Sequence, residues 1–162
     1  MNSAEKMSCE VIERTIGNNR AYRKVDEKMY VIKQGSSYVM INVVPLGTDR
    51  AIVRCVAQLV KGVRMDQDLS VQLLSLNAVL RFGAFGFVKE GNLVLFLHSI
   101  LGGETLDSEE LLATIRDVAL IADDWDDKII ERFGGQTMQD LLEETAVAKV
   151  LSSEPDAFSW DQ

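Results

Sequence analysis

Apolar side chains recur along this chain in two periods, one helical and one alternating. Over residues 4 to 16, Met7, Cys9, Val11, Ile12 and Ile16 follow helical spacing, with Ser3 placed as the cap and Gly17 as the stop. Met29 to Gln34 and Ser37 to Val44 alternate instead around Gly35-Ser36, a pattern that predicts a hairpin with a two-residue type II′ turn. Such a turn sets Ile32 against Val39 and Tyr30 against Ile41 on one side, and Lys33 against Tyr38 and Val31 against Met40 on the other. Ile52 to Val60 reads as a third strand. Opposing its Arg54 with Asn42 gathers Val39, Ile41, Val43, Val53, Cys55 and Ala57 on a core face. Val31, Met40, Asn42, Val44, Ile52, Arg54 and Val56 are left on a mixed face, the candidate protein-interaction surface.

From Asp68, Leu69, Leu73, Leu76 and Leu80 form the stripe of a second helix closed by Phe82 and Gly83. A second hairpin follows, Ala84 to Val88 and Leu93 to His98, with Phe85, Phe87, Val94 and Phe96 in one phase. The strongest helix signal runs from Asp107 to Phe133. Asp107 and Glu110 resemble a capping box, Leu106 and Leu111 are placed as a hydrophobic staple, and Gly134-Gly135 stops the helix. A shorter helix is expected from Thr137 to Leu151. The order α-β-β-β-α-β-β-α-α predicts an α+β fold with an antiparallel sheet of about five strands. Residues 1–151 read as one domain, and residues 152–162 as a loose acidic tail in which Phe158 and Trp160 are free to dock.

The chain of 162 residues carries a net charge of -8, which disfavours nucleic acid and anionic membrane as partners. The charge is also polarised: residues 1–103 hold 13 basic and 9 acidic side chains, and the remainder hold 4 and 16. With no long apolar stretch and no signal-peptide pattern, the reading is a cytoplasmic protein. Cys9 and Cys55 fit no metal or redox spacing and read as reduced, buried small hydrophobes. His98, beside Ser99, lacks the surroundings of a catalytic triad, so no enzyme, cofactor or metal is expected. The glycines around Gly83, Gly86, Gly91, Gly102 and Gly103 follow no phosphate-loop pattern. Asp123, Asp124, Asp126 and Asp127 are expected to cover one arc of the long helix as a solvated acidic patch, open to a basic partner and poorly arranged for a cation.

Leu73 to Gly135 resembles the YbjN-type family of bacterial sensory-transduction regulators, which have a type III secretion chaperone-like fold. The resemblance rests on Leu74 with Asn77, Ala84-Phe85-Gly86, Ala122-Asp123-Asp124 with Asp127, and Phe133-Gly134-Gly135. It implies a bacterial, non-enzymatic, dimeric partner-binding protein and transfers no catalytic residue. The first expectation is therefore a protein-binding adaptor, chaperone-like or regulatory, acting as a homodimer. Self-association or a constitutive partner would use the mixed face or an edge strand. The alternative is a sensory regulator that responds to a small ligand or cation near His98 or the aspartates.

Overall fold

The alternating segments build one antiparallel sheet. A computed structural model describes residues 1–35 and 37–142 and contains β1 Tyr22–Asp26, β2 Met29–Gln34, β3 Ser37–Leu46, β4 Arg50–Lys61, β5 Ala84–Val88, β6 Leu93–Leu101 and β7 Gln136–Thr137. The strand order is β1-β2-β3-β4-β6-β5, with β7 added beside β4. The register follows the polar phase of the sequence: Ile32 faces Val39, Val31 faces Met40, and Asn42 faces Arg54. Gly35 takes φ +57 at the hairpin turn, the left-handed region glycine occupies without strain.

Three helices, α1 Ser3–Ile16, α2 Gln67–Val79 and α3 Ser108–Phe133, complete the described architecture with a short 3-10 turn, Gly103–Thr105. α1 and α3 share one core with the sheet: Ile12, Leu111 and Val118 cluster with Tyr30, Ile41, Val53 and Phe96, all essentially buried. At 26 residues α3 spans roughly 39 Å. Its start matches the sequence reading, with the Asp107 carboxylate accepting from the Glu110 N–H and both Leu106 and Leu111 buried.

The structure corrects the sequence reading at several points. Among the described residues the sheet has seven strands where about five are expected, and the α+β class with an antiparallel sheet holds. β1 was not anticipated because Tyr-Arg-Lys-Val-Asp is exposed beyond its half-buried Tyr22 and shows no apolar alternation. It pairs because β2 otherwise presents an open edge. Asn2, not Ser3, caps α1, in a reciprocal capping box with Glu5. Asp66 caps α2, which ends at Val79, so Leu80 already lies in extended backbone outside the stripe. Thr137 lies in β7 and caps the turn that follows, its hydroxyl accepting from the Asp140 N–H and the Asp140 carboxylate accepting from its own. Residues 138–142 begin a helix; the rest of the helix expected to Leu151, and the tail with Phe158 and Trp160, lie outside the described residues.

Leu73 is 6% exposed and Leu76 only half-buried. Leu73→Ala is therefore expected to cost about 2–5 kcal/mol, and Leu76→Ala distinctly less. Denaturant melts test the order; equal and negligible costs would mean that α2 does not pack as described.

Two carboxylates on α1 bind the sheet electrostatically. Glu5 accepts from Lys28 at 2.8 Å and from the Asn2 N–H at 2.7 Å, and both contacts hold its pKa below the usual carboxylate range. Glu13 is lowered chiefly by Lys24, at 2.6 Å, with the Tyr30 hydroxyl donating as well. A carboxyl depressed in the folded state contributes stability above its unfolded pKa of about 4.3, and loses it as pH falls through the lower folded value. Stability should therefore fall on acidification below about pH 4. In the Glu5→Gln, Glu13→Gln double variant that slope should be shallower, and an unchanged slope in pH-dependent melts would assign the acid sensitivity to other groups.

Candidate partner-binding surface

Alternation places one phase of each strand against α1 and α3 and turns the other phase outward. Across the outward face the register lines side chains into rows. Val31, Met40, Val56 and Leu97 are successive cross-strand neighbours, as are Val44, Ile52 and Leu101 four residues further along. Between these apolar rows runs a polar one, Asn42, Arg54 and Ser99. Val56 is buried by its neighbours, Val31, Met40, Asn42, Val44 and Ile52 are half-buried, and Arg54 is exposed. The seven residues expected on the mixed face thus lie on one surface.

The strands of that surface carry mostly positive charge, with Asp26 and Glu27 at the β1–β2 rim. Arg23 pairs with Val31, and Lys33 with Tyr38, so both cations share the outward phase with Arg54. Asp26, at the rim of β1, is the one carboxylate among the described strands. Arg54 makes no hydrogen bond or ion pair with another described residue. An unpaired guanidinium flanked by apolar rows can recognise a carboxylate on an otherwise apolar partner, because Arg offers a rigid donor fork while its stem packs on hydrocarbon.

The acidic patch is not a single surface. Asp126 is 1% exposed, lying four residues after buried Ala122 and three before buried Ile129 on the core-facing stripe of α3. Its carboxylate accepts from the Asp127 N–H. Asp123 faces the β2–β3 turn, where a Cβ on Gly35 would come within 2.7 Å of its carboxylate. Only Asp124 and Asp127 are exposed. The four aspartates therefore diverge, and the expected arc is corrected to two solvated side chains.

A second apolar surface lies at the β5 end of the sheet. Val71, Leu74, Val79, Phe82 and Phe87 are all exposed there, on or just beyond α2 and on β5. A cleft of about 180 Å³ between Leu73, Leu74, Asn77 and Phe85–Phe87 separates the two elements. Asn77 bridges them: its amide donates to the Phe85 carbonyl at 3.1 Å and its own carbonyl accepts from the Phe85 N–H at 2.7 Å. The side chain thereby occupies the outward peptide groups of an edge strand, as a neighbouring strand would. This bridge gives the quoted Leu74-x-x-Asn77 and Ala84-Phe85-Gly86 motifs a common physical role. Sequence reasoning missed it; the available signal was an Asn among the apolar residues of α2, eight positions before Phe85.

His98 lies opposite Cys55 in the core-facing phase and meets Phe82 edge-on at 5.9 Å. Burial pushes the Cys55 thiol up to about 12, which keeps it protonated at neutral pH. A cleft of about 420 Å³ opens between the start of α1 and the Leu101–Thr105 connection, away from both His98 and the aspartates.

The family model described as T3SS (YopN, CesT) and YbjN peptide-binding chaperone 1 matches residues 5–141. Among solved structures, the crystal structure of the ExsC-ExsE complex is similar at a TM-score of 0.61 and 19% identity, covering 80% of this chain and 97% of that one, a likeness of fold. No curated protein matches the chain.

Proposed function

Because the chain belongs to the family of T3SS and YbjN peptide-binding chaperones, we propose that it is a non-enzymatic adaptor that holds an extended, acidic and apolar segment of a client protein across its open sheet face. The observation that carries this reading is Arg54, unpaired among the described residues, between two registered apolar rows. Side chains on one side of an extended segment repeat about every 7 Å, as do the rows of a sheet, so a client running along β4 can alternate a carboxylate with apolar groups over matching positions. Burial of the apolar rows supplies affinity, and Arg54 supplies selectivity for acidic clients. The structural likeness to a two-protein complex supports a protein partner.

In this reading the adaptor is a homodimer whose second copy meets the α2–β5 end, where the exposed apolar side chains are concentrated. It works in the cytoplasm of a bacterium; no described helix is long and apolar enough to cross a membrane. Placing a photo-crosslinking amino acid at Met40 in the native cell should yield a protein adduct that the same group at Arg116, on α3, does not. Arg54→Glu should lower that yield about tenfold, equivalent to about 1.4 kcal/mol. Equal yields from both positions would overturn the reading. Light scattering at tens of micromolar tests the dimer, with Leu74→Glu expected to give a folded monomer; a strictly monomeric wild type rejects it.

A further inference from the structure

We infer that the open sheet face is occupied, when no client is present, by the chain's own C-terminal segment, residues 152–162. The inference rests on the client-binding reading of that face and identifies a built-in competitor for it. The segment Ser-Ser-Glu-Pro-Asp-Ala-Phe-Ser-Trp-Asp-Gln holds three carboxylates, two aromatic side chains and no basic residue. The face offers Arg23, Lys33 and Arg54 around apolar rows, with Asp26, Glu27 and Lys28 of the β1–β2 turn at its rim beside Arg54. Charge and hydropathy are therefore complementary.

The spacing is complementary as well. Asp156, Phe158 and Trp160 occupy alternate positions. In an extended chain they lie on one side about 7 Å apart, the distance between the row through Arg54, the row through Met40, Val56 and Leu97, and the row through Gln58 and Leu95. A carboxylate over Arg54 thus brings Phe158 over the apolar row and Trp160 over the next.

Reach permits docking within one molecule. The described chain ends at Leu142, shortly after β7 pairs with Val60 and Lys61 of β4. Arg54 lies six residues back along that strand, about 20 Å away. The 14 residues from Leu142 to Asp156 reach about 46 Å when extended, and still span the distance if the part up to Leu151 is helical. A segment tethered in this way meets its site at an effective concentration on the order of millimolar. Even a separate-peptide Kd of about 0.1 mM then leaves the tail docked about ten times in eleven, and weakens a competing client about tenfold.

The chain has two tryptophans, and Trp125→Phe leaves Trp160 as the reporter. In that full-length background the Trp160 emission should lie to the blue of a synthetic peptide of residues 152–162, and resist acrylamide quenching, independently of protein concentration. Arg54→Glu should shift it to the peptide's value, whereas Arg116→Glu should not. A dye-labelled copy of the same peptide, lacking Trp160 through a Trp-to-Phe change, should bind the full-length Phe158→Ser, Trp160→Ser variant about tenfold more tightly than wild type. Emission equal to the free peptide's, or a blue shift that appears only as protein concentration rises, overturns docking in cis. Loss of that result with persistence of the Met40 crosslink rejects the tail as competitor and leaves the client reading standing. Loss of both rejects the client reading itself. Circular dichroism on every variant confirms that the fold is retained.

Discussion

Phe96→Ala is expected to lower stability by about 3–5 kcal/mol, a large share of the roughly 5–15 kcal/mol that holds a domain of this kind folded. Phe96 is fully buried, faces Ala57 across the β4–β6 ladder and meets the Phe85 ring edge-on at 5.0 Å. Phe85 in turn touches Trp125 of α3, with ring centres 6.0 Å apart, so the aromatic contacts tie two strands to the longest helix. Ala57 is too small to close the void, and the edge-to-face pairing is lost together with the buried area. The denaturant midpoint should fall with little change in m-value, which would locate the effect in the native core. Phe96→Leu, which keeps most of the volume, should cost much less. A loss below about 1 kcal/mol for the alanine variant would contradict the packing described.

Gly135→Ala is expected to cost about 3 kcal/mol, against about 1 kcal/mol for Gly134→Ala. Both glycines have positive φ, +72 at Gly134 and +99 at Gly135, so each alanine carries backbone strain. Their surroundings separate them. A Cβ on Gly134 meets nothing within 4 Å, whereas one on Gly135 would lie 2.6 Å from a Val60 methyl and 2.7 Å from the Lys61 carbonyl. The carbonyl cannot yield without disturbing the segment where Val60 pairs with Thr137 and Lys61 with Gln136. Faster hydrogen exchange confined to β7 and the end of β4, in Gly135→Ala but not in Gly134→Ala, would show this directly. Equal behaviour of the two variants would contradict the close approach.

The sequence by itself determined what depends on neighbours within a few residues. Alternation around Gly35-Ser36 set the β2–β3 register, Asn42 opposite Arg54 set the next one, and the Asp107 cap with the Leu106 and Leu111 staple marked the start of α3. The seven mixed-face residues followed from the same period of two, since a fixed register leaves each side chain only one face to occupy. Tertiary structure decided what depends on groups distant in the chain. β1 exists because β2 has unpaired peptide groups to satisfy, a condition invisible in Tyr22–Asp26. Helical spacing alone turns the four aspartates away from the stripe of Val118, Ala122, Trp125 and Ile129, yet Asp126, between Ala122 and Ile129, is buried once α3 packs. The same holds for Asn77. Its helix could be read from leucine spacing, but its two hydrogen bonds arise only where α2 reaches the edge of β5, and that edge is created by β6 inserting between β4 and β5. Periodicity fixes which way a side chain points along its own element, whereas the packing of elements fixes what it meets.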